Sequence, residues 1–380
     1  MEESLRLGRV AGVNVGINWS VLVIFLLLTV GLAAGRFPAL YPDLAVWSYV
    51  VAGLVAGVIF LGSLLAHEVA HAVVARRNGV EVEGITLWMF GGVARLRGEA
   101  ADPGADLRIA GVGPLVSLVL AGVFGGIGLV LDAFAEGLVV GIFWWLALIN
   151  LVLAVFNMMP AAPLDGGRVL RSFLWRRSGD RYEASMTAAR AGRGFGWFLV
   201  ALGILQFVAG AGLGGLWLVL IGWFLTTVAR AEEEHARVSG ALSGVRVRDV
   251  MSADPVSVSP DLIVDTFVEE YVFPNRFSSF PVVGSDGHPA GLVTLNRVKG
   301  LAPEERGITR VEDLACPMDD VAVVGPDRPA ADVLTEMSRC PDGRALVVED
   351  GRLVGIVSPV DIMRHLEFGE LRNQRDRAHI

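Results

Sequence analysis

The sequence predicts a polytopic α-helical membrane domain of about six spans, followed by a smaller α/β domain outside the membrane. The long apolar runs and all nine tryptophans lie before about residue 230, and the mean hydropathy of the whole chain is +0.55. The remaining residues alternate apolar with charged positions and contain an internal repeat. We therefore expect a membrane domain at 1–230, a linker at 231–244, two repeat copies at 245–302 and 308–368, and a polar tail at 369–380.

The apolar runs are long enough for spans of roughly 20 residues. The first four predicted spans are 17–35, 48–75, 109–131 and 138–159. A last block, 195–228, is interrupted by glycines, which favours two short spans joined by a tight turn over a re-entrant hairpin. The first run exceeds the roughly 7–15 apolar residues of a signal peptide, so we expect it to be retained rather than cleaved.

Arginines flank the spans unevenly. Apart from Arg36, they lie before the first span, between the second and third, between the fourth and fifth, and after the sixth. By the positive-inside rule, both termini and the α/β domain are predicted to be cytoplasmic in a multi-pass protein of the cell membrane.

Composition excludes several classes of protein. The formal net charge is −8, and no basic patch with interleaved aromatic residues is present, so we expect no nucleic-acid partner. Cys316 and Cys340 are the only cysteines. Two cysteines form neither a disulfide scaffold nor a cysteine zinc site, which indicates a reducing compartment.

The second predicted span carries the motif HEVAH, which places His67, Glu68 and His71 at membrane depth. Residues four apart share one face of a helix, so both imidazoles can point at one metal ion with Glu68 beside them. This pattern supplies two zinc ligands and a general base for water attack on a peptide bond. The alternative is a polar cluster that joins two helices, but ionisable groups inside a membrane are costly and usually functional.

A third ligand must come from another segment. The other histidines of the chain all lie beyond residue 230, so a carboxylate is expected, and Asp165 in the segment NMMPAAPLDGG is the best candidate. Its prolines and glycines would break the helix and turn the backbone inward. If the sequence lacked the upstream motif, the preferred interpretation of Asp165 would be an N-cap of the next helix.

The segment 84–97 predicts a β-hairpin between the second and third spans, with its turn at Gly91 and Gly92. Two functions are open for it. An apolar strand at the interface can offer an edge to an extended peptide, or the hairpin can merely cap the metal site.

Together, HEVAH in a span and NMMPAAPLDGG about ninety residues later resemble the site-2 protease family of intramembrane zinc metalloproteases. The segments beginning at Phe90 and Gly113 are also similar to segments of that family. The resemblance covers roughly residues 10–230. It implies that His67, His71 and Asp165 bind Zn²⁺ and that Glu68 activates the water.

The same resemblance implies further roles and partners. Asn157, Gly91 and Gly92 would position substrate. The substrate would be a single-span membrane protein, such as an anti-sigma factor or a similar regulator, which must unwind locally in the bilayer before it is cut.

The internal repeat has an offset of 64 residues, seen in Asp249 with Asp313 and in Gly291 with Gly355. Each copy is predicted to contain a strand, a helix, two strands and a helix. The copies resemble a pair of CBS domains, which commonly bind adenine nucleotides such as ATP, ADP or AMP.

In that family a hydroxyl residue and an aspartate three positions later contact the ribose, and Ser358 and Asp361 match this pattern. In the first copy the residue three positions after Thr294 is Arg297 instead of an acid, which puts a ribose site there in doubt. Arg297 would instead contact a phosphate of the nucleotide. The alternative is a pair that only forms a homodimer or docks on the membrane domain.

The sequence thus predicts a zinc-dependent intramembrane endopeptidase whose CBS pair senses a nucleotide or holds a dimer. The competing hypothesis is a CBS-regulated transporter or receptor with a structural or transported metal. Under that hypothesis Glu68 is dispensable and Asp165 need not approach the histidines.

Overall fold

The computed structural model describes residues 5–89, 91–98, 100–134, 137–337, 343–365 and 368. The chain divides into two compact units, Met1–Ala236 and Arg237–Ile380. Cys340 and the predicted polar tail lie outside the described residues.

Helices dominate the first unit, which we call the membrane unit. In chain order they are α1 Val21–Leu40, α2 Val46–Arg77, α3 Pro103–Asp132, α4 Leu138–Asn157, α5 Asp165–Ser178, α6 Arg181–Gln206 and α7 Leu213–Ala241. Within the described residues, six helices are long and apolar enough to cross a membrane, and α5 is not among them. The prediction of about six spans is confirmed.

The helix bounds differ from the predicted spans at several places. The last apolar block forms two helices, as expected, because Gly210 and Gly212 adopt positive φ angles of 88° and 60° and interrupt it. These helices are long rather than short. The polar stretch that begins at Arg181 continues the helical pattern, and Asp180 caps it by accepting bonds from two backbone N–H groups. At the other end, α7 runs through most of the predicted linker to Ala241.

The membrane unit also contains a four-stranded sheet. Its strands are β1 Leu5–Val10, β2 Val13–Ile17, β3 Glu81–Trp88 and β4 Gly91–Arg97, in that order across the sheet. Strands β1 and β2 were not predicted, and Ile17, the last residue of β2, had been assigned to the first span. The β3–β4 hairpin was predicted, but Gly91 and Gly92 pair with Trp88 and Leu87 inside the ladder instead of forming the turn.

The sheet packs on α2, where Val13 and Ile85 meet Ala72 in a small core. It is tied to the start of α1, because the backbone N–H of Asn18 donates to the carbonyl of Leu87. Strand β4 pairs with β3 and is an edge strand of the sheet. The hairpin therefore lies over the helix that carries the HEVAH motif.

The second unit is an α/β domain of two similar halves. Its strands are β5 Ser252–Ala253, β6 Ser279–Val283, β7 Pro289–Thr294, β8 Cys316–Pro317, β9 Ala322–Val324, β10 Ala345–Glu349 and β11 Arg352–Val357. They form sheets in the orders β5-β11-β10-β9 and β6-β7-β8. The pairs β6–β7 and β10–β11 are antiparallel and occupy equivalent places in the predicted repeat.

Short helices complete this unit. The α-helical ones are Val247–Val250, Val264–Phe267, Phe273–Asn275, Leu295–Gly300, Val311–Leu314 and Ala330–Glu336. Each half has its own core, one around Phe267 and Phe280 and the other around Ala345 and Val347. The predicted class, a polytopic membrane domain followed by an α/β domain, is confirmed.

Candidate metal centre

Three polar side chains from distant parts of the membrane unit meet at one point. His67 and His71 lie one turn apart on α2, both buried, with their Nε2 atoms 3.1 Å from each other. The Oδ2 atom of Asp165 lies 3.2 Å from each of these nitrogens. Three ligand atoms thus lie within 4.8 Å of one another, and the predicted juxtaposition of these residues is present.

Asp165 reaches this point because the chain breaks between α4 and α5. Helix α4 ends at Asn157, an irregular segment follows, and α5 begins at Asp165 itself. Gly166 and Gly167 allow the turn, since a Cβ at either residue would collide with the backbone of the irregular segment, including Ala162. The segment also bonds to α6 through the Ala162 N–H and the carbonyl of Ala188, 3.3 Å apart.

Both histidine rings are oriented by contacts from α3. His71 Nδ1 lies 2.6 Å from the carbonyl oxygen of Ile109, and His67 Nδ1 lies 2.9 Å from Ser117 Oγ. A carbonyl can only accept, so Nδ1 of His71 donates, and in the neutral ring its Nε2 carries the free lone pair. Nε2 of His71 is therefore available to a metal ion, and Nε2 of His67 faces the same point while its Nδ1 contacts the Ser117 hydroxyl.

Gly113, between these two contacts on α3, makes room for the rings. A Cβ there would lie 2.5 Å from His67 Nε2 and 2.6 Å from His71 Cε1, closer than real Cβ atoms come. Ile109, Gly113 and Ser117 are spaced four residues apart, so they share one face of α3. Sequence reasoning missed the roles of these residues, although their spacing was a usable signal.

Glu68 lies beside the cluster, on the same helix as the histidines. Its carboxylate accepts a hydrogen bond from the backbone N–H of Gly92. A Cβ on Gly92 would lie 2.5 Å from Glu68 Cδ, so only glycine fits here without displacing the carboxylate. Gly92, the second residue of β4, therefore lies against the candidate general base.

Burial alone would raise the pKa of Asp165, but two protonated imidazoles would outweigh it through hydrogen bonds and charge and lower the pKa to about 2. In the metal-binding form, with neutral rings, the Asp165 carboxylate is the negatively charged donor. Two imidazole nitrogens and one carboxylate oxygen are a donor set typical of catalytic zinc, with one position left for water. The residues fit a zinc ion.

Asn157 and Gly91, which were predicted to position substrate, differ in their surroundings. Asn157 donates its amide to the carbonyl of Leu153 in its own helix, at 3.1 Å. Gly91 has a φ of +138°, which favours glycine, and no atom lies within 4 Å of where its Cβ would be.

In the α/β unit, Ser358 and Asp361 are hydrogen-bonded to each other, with the Ser358 N–H 2.9 Å from the carboxylate. Ser252 also donates to Asp361, at 2.9 Å, a contact that the sequence did not suggest. Thr294 is buried at the end of β7, and Arg297 donates to the carbonyl of Leu314 at 3.3 Å.

Comparison with known proteins identifies both parts of the chain. Residues 55–136 and 125–201 match peptidase family M50, and residues 247–302 and 311–367 match the CBS domain. Rip3 of Mycobacterium tuberculosis is 45% identical over 98% of this chain and 95% of its own length. MJ0392 of Methanocaldococcus jannaschii is 27% identical over 98% of this chain and 99% of its own length.

The names of these relatives are "Putative zinc metalloprotease Rip3" and "Zinc metalloprotease MJ0392". Among solved structures, the site-2 protease from Methanocaldococcus jannaschii is 26% identical and covers 60% of this chain and 94% of its own, with a TM-score of 0.43.

Proposed function

Because the chain belongs to peptidase family M50, the site-2 protease family of membrane-embedded zinc metalloproteases, we propose that it cuts single-span membrane proteins within the bilayer. The observation that carries this proposal is the convergence of His67 Nε2, His71 Nε2 and Asp165 Oδ2 beside Glu68. The competing transporter or receptor hypothesis does not require Asp165 to approach the histidines. The 3.2 Å distances therefore favour the protease.

We assign His67, His71 and Asp165 as the zinc ligands. When bound, zinc would polarise the scissile carbonyl and make a water molecule a better nucleophile. Glu68 would take the proton of the attacking water on its carboxylate and return it to the leaving nitrogen. The Gly92 N–H orients that carboxylate, the Ile109 carbonyl keeps His71 in the metal-binding tautomer, and the Ser117 hydroxyl holds the His67 ring in place.

The substrate backbone would bind along β4. A helix in lipid satisfies its own backbone, so it must unwind before its peptide bonds are accessible. An unwound segment can regain backbone hydrogen bonds by pairing with the edge of a sheet. Strand β4 ends the sheet and begins at Gly91 and Gly92, next to Glu68, which supports strand addition more strongly than a role as a simple cap.

The site is proposed to open to the cytoplasm. His71 lies five residues before Arg76 on α2, which is about 7 Å along the helix axis. Arginines concentrate at the ends of the spans on this side, as the positive-inside rule requires of the cytoplasmic face. The α/β unit would then be cytoplasmic as well.

The CBS pair would bind an adenine nucleotide, with Ser358 and Asp361 at the ribose, and thereby change the rate of proteolysis. In the second copy these residues are close together and half-buried. In the first copy Thr294 is buried, and Arg297 donates a hydrogen bond to a backbone carbonyl. We therefore propose the second copy as the main nucleotide site. A homodimer formed through the pair is the other proposed role.

The first experiment compares wild type and Glu68→Gln. Each is co-expressed with a panel of single-span membrane proteins, including anti-sigma factors, and the zinc content of the purified proteins is assayed in parallel. Loss of cleavage with zinc retained is expected. Equal behaviour of the two proteins, both loaded with zinc, would contradict the assignment of Glu68 as the base.

A further inference from the structure

One face of α3 contacts both histidines of the candidate metal centre. Ile109, Gly113 and Ser117 meet the two histidines, and Asp106 lies on the same face one turn before Ile109. The Asp106 side chain is completely buried. Aspartate is rarely buried to this extent unless its charge is paired, and the roles proposed above make no use of it.

Among the residues that the structure describes, the partners of the Asp106 carboxylate lie on α5, the helix that begins with Asp165. Arg171 donates from Nη2 at 2.6 Å and from Nε at 3.0 Å, one bond to each oxygen. Arg168 donates at 3.1 Å and Ser172 at 2.9 Å. A two-pronged arginine–carboxylate pair fixes orientation as well as distance.

The spacing along the two helices matches. Seven residues separate Asp165 from Ser172 on α5, and seven separate Asp106 from Gly113 on α3, which is about 10 Å in each case. Asp165 meets the histidines at the level of Gly113, while Ser172 meets Asp106. Helix α5 thus runs alongside α3 in the opposite direction and is held at both ends of this interval.

We propose that Asp106 is a positioning residue for the metal centre: by clamping Arg171 and Ser172 to α3, it holds Asp165 against the two histidines. The proposal rests on the proposed function, because it assumes that a metal binds at this centre. Asp106 itself does not coordinate the metal.

Neutralising Asp106 removes the charged partner that holds Arg171 and Arg168 to α3. Helix α5 is then held less firmly, and Asp165 can move away from the histidines.

The test measures metal binding by the full chain purified in detergent. Asp106→Asn keeps the shape of the side chain and removes its charge, and we expect its zinc affinity, measured by competition with a chelator, to fall about 10- to 100-fold. With Co²⁺ in place of zinc, its visible absorption should shift towards that of Asp165→Asn, because a displaced carboxylate changes the coordination geometry. Arg171→Lys, which keeps the charge but not the two-pronged contact, should be intermediate and provides a variant less disruptive to folding.

Glu233→Gln is the matched control. It removes a similar set of contacts, from Arg193 at 2.6 Å and Arg190 at 3.1 Å, that joins α6 to α7 and leaves α5 untouched. It should bind zinc like the wild type. Wild-type affinity and Co²⁺ spectrum in both Asp106→Asn and Arg171→Lys would overturn the proposal, as would an equal loss in Glu233→Gln. Absence of zinc binding in the wild type would instead contradict the proposed function itself.

Discussion

The substitution Gly113→Ala should displace both histidine rings and thereby weaken zinc binding. The added Cβ would lie 2.5 Å from His67 Nε2, about 0.9 Å short of the 3.4 Å at which ordinary van der Waals contact begins. Metal–ligand distances tolerate only about 0.2 Å, so a ring displaced by this amount no longer coordinates well. The same Cβ would press on His71 Cε1 at 2.6 Å, so both ligands are affected.

We expect zinc affinity to fall at least about 100-fold, or about 2.8 kcal/mol, the upper end of what changes around metal ligands usually cost. The apoprotein should also be less stable, because overpacking a buried site costs about 1–3 kcal/mol, whereas alanine favours a helix over glycine by only about 1 kcal/mol. Affinity is measured by competition with a chelator. Thermal unfolding is followed without metal, since bound zinc would itself raise the melting temperature.

Gly111→Ala is the matched control, because no atom lies within 4 Å of where its Cβ would be. It makes the same gain in helix propensity on the same helix, and its zinc affinity should equal that of the wild type. If Gly113→Ala bound zinc as tightly as Gly111→Ala, the geometry described for the metal centre would be refuted.

Three further predictions concern other contacts. Ser117→Ala should weaken zinc binding about tenfold in the same competition assay, since His67 loses the partner of its Nδ1; unchanged affinity would show that this bond does not orient the ring. Gly92→Ala should slow cleavage of a model substrate while zinc content stays constant, because the methyl group displaces Glu68; a parallel loss of zinc would contradict a role confined to the base. Asp361→Asn should weaken ATP, ADP or AMP binding to the full chain in calorimetry, whereas Thr294→Val should not; the reverse order would assign the nucleotide to the first CBS copy.

The proposed metal ligands of the membrane unit could be inferred from the sequence because they follow from local rules. His67 and His71 are four residues apart on a helix, and this spacing puts their rings together in almost any helical fold. Asp165 required one further step, the observation that no other histidine lies in the membrane half. These inferences needed only the helical period and the chemistry of the donors.

The supporting contacts depend on how helices rotate and which strands pair, and neither is written locally in the sequence. Strand β2 pairs in parallel with β3, which is more than sixty residues away, so its short alternating pattern gave little signal. Ser117 was recognised as part of a motif, but its contact with His67 appears only once α3 is turned towards α2. Asp106 looked like an ordinary polar residue near the start of a span.

The contacts at the two Nδ1 atoms have a consequence for how the enzyme acquires its cofactor. Protein groups, the Ser117 hydroxyl and the Ile109 carbonyl, hold the rings in place, so the ligand geometry is preorganised before any ion arrives. Small zinc domains, in contrast, fold only when the metal binds. We therefore expect folding in the membrane and loading with zinc to be separable, and a chelated enzyme to be reactivated by adding zinc alone, without refolding.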